Sequence, residues 1–251
     1  MRTLVVVPTY DERATIREVV ARTLAADVDV DLLVVDDASP DGTGEVADEL
    51  AGLHPEVHVL HRSGKEGLGP AYRAGLGWGL ERGYDVLVEM DADLSHDPLQ
   101  LPELVAATAG ADLVIGSRYV PGGRIENWPV HRLALSAGGN LYVRTVTGLP
   151  VRDATSGFRA FRRCVLEDIG LLDLRSDGYS FQLETALLTW RAGYAIGEVP
   201  ITFVERTAGA SKISRAIVLE ALWRVLQWGL RGPRSAGPTH PRSVRAGRPA
   251  A

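Results

Sequence analysis

Val86-Leu87-Val88-Glu89-Met90-Asp91-Ala92-Asp93-Leu94-Ser95-His96-Asp97-Pro98 is an apolar run that ends abruptly in acid. Near-continuous apolarity suits a strand covered on both faces, as in a parallel sheet. At its carboxyl end, Asp91 and Asp93 stand two residues apart, close enough to converge on one hard divalent cation. Mg²⁺ or Mn²⁺ prefers such oxygen ligands and would complete its shell with diphosphate oxygens and water. The competing reading is a solvated turn that caps a helix, for which Asp97 before Pro98 is well suited. That reading accounts for Asp97 and leaves Asp91 and Asp93 unexplained.

The same signature recurs outward from this stretch. Leu4–Val7, Leu32–Val35, Val57–Leu60 and Leu113–Ile115 are short runs rich in Val, Leu and Ile. Helical patterns at Thr15–Ala26, Gly44–Ala51, Pro70–Arg82 and Pro98–Ala109 alternate with them. A βαβα order predicts a doubly wound, mostly parallel sheet flanked by helices, with right-handed crossovers. In such sheets ligands bind beyond the carboxyl ends of the strands. The polar segments Pro8–Glu12, Asp36–Thr43 and Asp91–His96 all follow strands.

The second half reads less regularly. Helices are predicted at His131–Val146 and Phe181–Arg191, a strand at Phe158–Phe161, β-rich sequence at Ile196–Val204 and a polar loop at Glu205–Lys212. Ile213–Arg231 predicts a long amphipathic helix. Glu220, Arg224, Gln227 and Arg231 form a narrow polar stripe. The other face carries Ile213, Ile217, Leu219, Leu222, Trp223, Leu226, Trp228 and Leu230. It suits an interfacial helix lying in lipid headgroups, or equally packing against the domain or a partner. From Gly232 the chain is rich in Pro, Gly, Ser and Arg, which predicts a disordered tail over 232–251. Its arginines would add attraction to anionic lipid.

The chain has 251 residues and a formal net charge of −5, which argues against a nucleic-acid partner. Cys164 is the single cysteine, so no internal disulfide forms and a reducing compartment fits. The N-terminus opens on a strand-like run, not on a charged-then-apolar signal. No stretch approaches the ~20 apolar residues that span a bilayer. The expectation is a cytoplasmic protein.

Further segments bear on a ligand. Asp36 and Asp37 close an apolar strand, where they either accept hydrogen bonds from a ribose or base, or cap a loop shaped by Pro40-Asp41-Gly42. Pro8-Thr9-Tyr10-Asp11-Glu12-Arg13 offers an aromatic face and acids at the same rim. Arg62-Ser63-Gly64-Lys65-Glu66-Gly67-Leu68-Gly69 is a glycine-spaced loop entering a helix, either a place for close approach to a ligand or a tight turn.

Together these segments resemble the GT-A-fold glycosyltransferases of family 2, and among them the polyprenyl-phosphate (dolichol-phosphate) mannose synthases. The resemblance runs from about Arg2 to Lys212. It also takes in Gly116-Ser117-Arg118-Tyr119, Gly122-Gly123, Thr155-Ser156-Gly157-Phe158-Arg159, Glu198-Val199-Pro200-Ile201 and Arg206 with Gly209-Ala210-Ser211-Lys212.

The resemblance implies a catalytic domain over 1–212, with 213–231 as the interfacial helix. It implies transfer of mannose from GDP-mannose to a polyprenyl monophosphate, with Mg²⁺ or Mn²⁺. Pro8, Tyr10, Glu12, Val35 and Asp37 match positions that hold the nucleoside. Asp91, Ala92 and Asp93 match the metal and diphosphate motif, while Arg118, Arg206 and Lys212 match basic positions around the phosphates. Arg132 and Ser136, with Arg206, match positions that receive the lipid phosphate. Two residues depart from the pattern: Asp11, where many relatives have Asn, and Ser95, where some have Gln as a further metal ligand.

The implied protein is peripheral on the cytoplasmic face of the membrane, and some relatives of this kind carry further membrane helices while others recruit a separate membrane-anchoring subunit. A phosphate monoester acceptor is already anionic and needs no strong general base. That agrees with the lack of a His or Cys dyad, and an inverting displacement is expected. The alternatives are a UDP-glucose-dependent lipid-phosphate glucosyltransferase with the same fold, or a non-catalytic sugar-nucleotide-binding subunit. A nicotinamide dehydrogenase is excluded, because Pro8-Thr9-Tyr10 replaces the glycine fingerprint after the first strand.

Overall fold

Three parallel strands form the half of the sheet that carries the acidic motifs: β1 (Thr3–Thr9), β2 (Asp31–Asp36) and β4 (Val86–Glu89). The computed structural model describes residues 1–205 and 215–230. β1 lies between the other two, with Thr9 opposite Asp36 and Val6 opposite Glu89. That register brings the residues after all three strands to one edge. β3 (Val57–His61) continues the sheet beyond β2. On the other side the order is β4, β7 (Arg159–Arg162), β5 (Leu113–Ser117) and β8 (Ile196–Pro200), seven strands in all among the described residues.

Alternate residues of β1 feed two cores. Leu4 and Val6 join one buried cluster, Val5 and Val7 the other. The helices α1 (Ile16–Ala25), α2 (Thr43–Leu53) and α4 (Leu101–Ala106) cover one face. α3 (Leu68–Glu81), α6 (Arg163–Asp168) and α7 (Gly178–Arg191) cover the other. α3 lies tight on the sheet, since a Cβ on Gly75 would sit 2.4 Å from Val6 Cγ1.

Some expectations change. β7 runs antiparallel to both β4 and β5, because the chain crosses the carboxyl edge at 155–157 and must enter the sheet from there. The helix predicted over Pro98–Ala109 is three short pieces, with 3₁₀ turns at Pro98–Gln100 and Ala107–Ala109 around α4. Pro102 lacks the N–H that a longer helix would donate to the Pro98 carbonyl. The β-rich run divides at Ile201. Beyond β8, β9 (Thr202–Val204) leaves the main sheet to pair with β6 (Arg124–Glu126).

The helix predicted over 213–231 is described as α8 (Arg215–Leu230). It packs against α5 (Val130–Thr147) and α7. Val225 and Trp228 enter the core, Tyr142 Oη donates to the Leu222 carbonyl at 3.2 Å, and Arg191 to the Trp228 carbonyl at 2.6 Å. Trp228 therefore belongs to the packed side and not to the apolar outer face that the spacing suggested. Arg224 reaches Ser176 Oγ, so the polar stripe also turns inward here. Leu222, Trp223, Leu226 and Leu230 stay exposed. The start of that helix, the Glu220 side chain, Arg231 and the tail over 232–251 lie outside the described residues.

Candidate active site

The loops after β1, β2, β4 and β5 enclose a cavity of about 390 Å³ at the carboxyl edge of the sheet. Pro8, Tyr10 and Glu12 enter it from β1, Asp37 from β2, Asp91, Ala92 and Asp93 from β4, Arg118 from β5 and Arg132 from α5. Of the other residues named from sequence, Val35 is fully buried in β2, off the wall, and its carbonyl accepts from Thr9 Oγ1 at 3.5 Å. Ser136, one turn beyond Arg132 on α5, is also off the wall and accepts from Tyr119 Oη at 2.7 Å. Arg206 and Lys212 lie outside the described residues.

The acidic loop is held on several sides. Asp93 Oδ1 accepts the Ser95 N–H at 3.0 Å, and Asp91 Oδ1 accepts from Tyr72 Oη at 3.2 Å. Burial first, then Asp91 and Glu89, push the Tyr72 hydroxyl well above its ordinary value, so it remains a donor. The Ser95 carbonyl accepts the Val204 N–H at 3.1 Å, fastening the loop to β9. Leu94 takes φ of +59°, and Asp11 and Ala38 in the neighbouring loops take +59° and +55°. Left-handed backbone at non-glycine residues gathers where a ligand site over-determines it. It also explains Asp11, since Asp and Asn are the side chains best tolerated there.

The two acids after β2 divide the work. Asp36 caps the loop, accepting from Thr9 Oγ1 at 3.1 Å and Ser39 Oγ at 2.6 Å. Asp37 lines the cavity and pairs with Arg62. In the glycine-spaced loop, Lys65 places its Nζ 3.7 Å from the Tyr10 ring centroid, at the cavity wall.

His96 is buried, stacked on Phe158 at 5.4 Å and edge-on to Phe203 at 5.2 Å. Its Nδ1 lies 3.8 Å from Asp91 Oδ2. Burial lowers its pKa from 6.5 despite Asp91 and Asp93, so the ring is neutral at neutral pH. Arg118, also buried, is gripped by Asp153 and donates to Thr155 Oγ1 at 2.9 Å. Arg132 stacks over Trp128 at 4.1 Å and pairs with Glu205.

Asp153, Tyr72, Lys65, Trp128 and Phe203 were not singled out from sequence as site residues. Asp153 is 35 positions from Arg118 in an irregular segment, and the aromatics read as ordinary core. Only Lys65 carried a signal, as part of the glycine-spaced loop.

Among the described residues no group of three His, Cys, Asp or Glu side chains is placed to hold a metal ion. Asp91 and Asp93 are the two carboxylates of the acidic loop that line the cavity. Such a set suits an ion that takes its remaining oxygens from a diphosphate and water.

The profile of glycosyl transferase family 2 matches residues 4–170. This chain belongs to that family. Family 2 relatives include a polyprenol monophosphomannose synthase of Mycolicibacterium smegmatis, 55% identical over 92% of this chain and 88% of that protein. An undecaprenyl-phosphate mannosyltransferase of Micrococcus luteus is also 55% identical, over 92% of this chain and 95% of its own length. Among solved structures, a mannosyltransferase from Pyrobaculum calidifontis in complex with GDP-Man and Mn²⁺ shares the fold. It is 20% identical with a TM-score of 0.57, and the match covers 92% of this chain and 63% of that one. The GT-A arrangement of a family 2 glycosyltransferase is therefore the frame in which the acidic loop and Arg118 meet.

Proposed function

We propose that this chain transfers mannose from GDP-mannose to a polyprenyl monophosphate by one inverting displacement that depends on Mg²⁺ or Mn²⁺. The observation that carries the reading is the shared cavity. Its wall brings Asp91 and Asp93 together with Arg118 and Arg132, between the strand ends and α5. Two relatives at 55% identity are named for mannosyl transfer involving polyprenyl or undecaprenyl phosphate, and a structural neighbour holds GDP-Man with Mn²⁺.

In this reading Pro8, Tyr10, Glu12 and Asp37 hold the nucleoside, with Val35 acting from beneath through the Thr9 hydroxyl that its carbonyl anchors. Asp91, Ala92 and Asp93 hold the ion and diphosphate. When bound, the ion neutralises charge on the leaving diphosphate. Arg118, Arg206 and Lys212 oppose the same charge, and the rigid Arg118 does so without reorganising. Arg132, Ser136 and Arg206 receive the acceptor phosphate. One acceptor oxygen bonds to the anomeric carbon as the bond from that carbon to the diphosphate oxygen breaks. The electron pair stays with the departing GDP. No proton moves, because the acceptor is already ionised, and the neutral His96 is not required as a base.

The catalytic unit is 1–212. The proposed interfacial helix, 213–231, is described over α8, which packs beside α5, whose Val130 and Leu141 are exposed, as are Trp223 and Leu230 of α8. That apolar face rests on the cytoplasmic side of the membrane, helped by the arginines of 232–251, and a membrane-anchoring protein would be a further partner. No helix among the described residues is long and apolar enough to cross a membrane.

A donor screen with short polyprenyl phosphate and Mg²⁺ or Mn²⁺ tests the reading. Mannosyl-phosphoryl-lipid formed from GDP-mannose, abolished by EDTA, is the expected result. Transfer from UDP-glucose instead would overturn the donor, retention at the anomeric carbon would overturn the mechanism, and nucleotide binding without transfer would favour a supporting subunit.

A further inference from the structure

A second cavity of about 390 Å³ opens on the flank of α5, lined by Tyr119, Ala137, Asn140, Leu141, Arg144 and Arg152. It shares no lining residue with the donor cavity. Its wall contains two guanidinium groups and no carboxylate. Among the described residues neither arginine side chain makes an ion pair. Glu198, the acid close by, is engaged with the Arg152 and Asp153 backbone N–H groups at 2.8 and 2.9 Å.

The polar neighbours are already committed. Asn140 donates to the Ser136 carbonyl at 3.1 Å and accepts the Ala154 N–H at 2.8 Å, and Tyr119 Oη donates to Ser136. The donors left facing the cavity are the two exposed arginines, whose forked geometry matches phosphate oxygens. The lip, by contrast, is apolar. Ala137 and the exposed Leu141 join this wall to the outer face of α5, which continues through Val130. A cationic wall with an apolar lip fits an amphiphile, with its phosphate at the arginines and its chains along α5.

We infer that Arg144 and Arg152 hold the phosphate of an anionic membrane lipid, at a site that shares no lining residue with the donor cavity and adjoins the acceptor residue Ser136 through Tyr119 and Asn140. The inference rests on the membrane-facing reading above. The net charge of −5 sharpens it, because the chain as a whole is repelled by an anionic surface. A preference for anionic lipid must come from local basic groups: the arginines of 232–251, and these two, which stand beside the face that meets the membrane and line a cavity able to seat a headgroup.

The test is co-sedimentation of the full chain with phosphatidylcholine vesicles, with and without phosphatidylglycerol, at fixed ionic strength. Wild-type protein should bind the phosphatidylglycerol vesicles more tightly. The Arg144→Gln/Arg152→Gln variant should lose roughly 10- to 30-fold of that binding and keep its binding to phosphatidylcholine. Unchanged mannosyl transfer to a short acceptor in detergent would show that the variant is folded. Calorimetry with inorganic phosphate separates the sources. Phosphate bound by wild type and not by the variant, with equal vesicle binding by both, would replace the lipid with a free anion. Equal behaviour of the two proteins in every arm would overturn the site alone. Wild-type protein that binds no vesicles would overturn the membrane reading along with it.

Discussion

Arg118 and Asp153 form a two-pronged ion pair inside the wall of the active site, with Nε to Oδ2 and Nη2 to Oδ1 both at 2.7 Å. The Arg118 backbone N–H donates to the same carboxylate at 3.0 Å. The guanidinium proposed to oppose leaving-group charge is thereby fixed before substrate arrives. Replacing Asp153 with Asn leaves a buried charge without its partner, which costs about 3–5 kcal/mol in comparable cases. Urea denaturation should show that loss, and transfer should fall with it.

The same pair sets an acid limit. Burial alone would raise the Asp153 carboxyl, but Arg118 and the hydrogen bonds hold it below its ordinary 3.8. A folded value below the unfolded one stabilises in full above the unfolded value and fades as pH falls through the folded one. The stability gap between wild type and Asp153→Asn should therefore be widest near neutral pH and narrow below pH 3.8. A gap that does not change with pH would contradict this account.

Gly67 is a second rigid point. Its φ is +111°, and a Cβ there would lie 2.2 Å from Asp177 Oδ2. Asp177 Oδ1 accepts the Gly69 N–H at 2.6 Å, tying the glycine-spaced loop to the start of α7. Gly67→Ala should destabilise by about 1–3 kcal/mol from backbone strain. It should also raise the donor KM, because the loop carries Lys65. A thermal melt and a donor titration check both effects.

These positions show what a sequence can and cannot carry. The β1, β2 and β4 runs were legible because strands covered on both faces must be apolar throughout, and the acids after them stood out by contrast. The antiparallel sense of β7 was not, since an isolated strand carries no mark of its direction. Asp36 and Asp37 looked alike as neighbours, and only the hydrogen bonds from Thr9 and Ser39 separate a loop cap from a cavity residue. Val35 and Ser136 matched family positions, yet neither reaches the wall of the active-site cavity: Val35 lies behind Thr9, and Ser136 is bonded to Tyr119, which lines the second cavity. Asp153 had no local signal, because its meaning depends on a residue 35 positions away.

Lys65 over Tyr10 predicts a modest effect on donor binding. The ammonium sits 3.7 Å from the ring centroid, and Lys65 is exposed. Cation–π contacts of this kind are worth about 0.5–1 kcal/mol at exposed sites. Lys65→Ala should raise the donor KM roughly 2–5-fold and leave kcat nearly unchanged. A large fall in kcat would instead place Lys65 at the reacting phosphates.

Asp93 tests the metal reading without relying on turnover. Asp91 is held by Tyr72 and Asp93 by the Ser95 N–H, so each carboxylate is pre-set by a different donor. Neutralising one of the two carboxylates proposed to hold the ion should weaken Mn²⁺ binding in the presence of GDP, read from the free-Mn²⁺ signal by electron paramagnetic resonance. Asp93→Asn should lower transfer by about 100-fold, the scale of losing one charge-stabilising group. Tyr72→Phe removes only the hydrogen bond to Asp91, so a smaller loss in both measurements is expected. If Asp93→Asn bound Mn²⁺ as wild type does, Asp93 would have to act on the sugar or the acceptor and not through the ion.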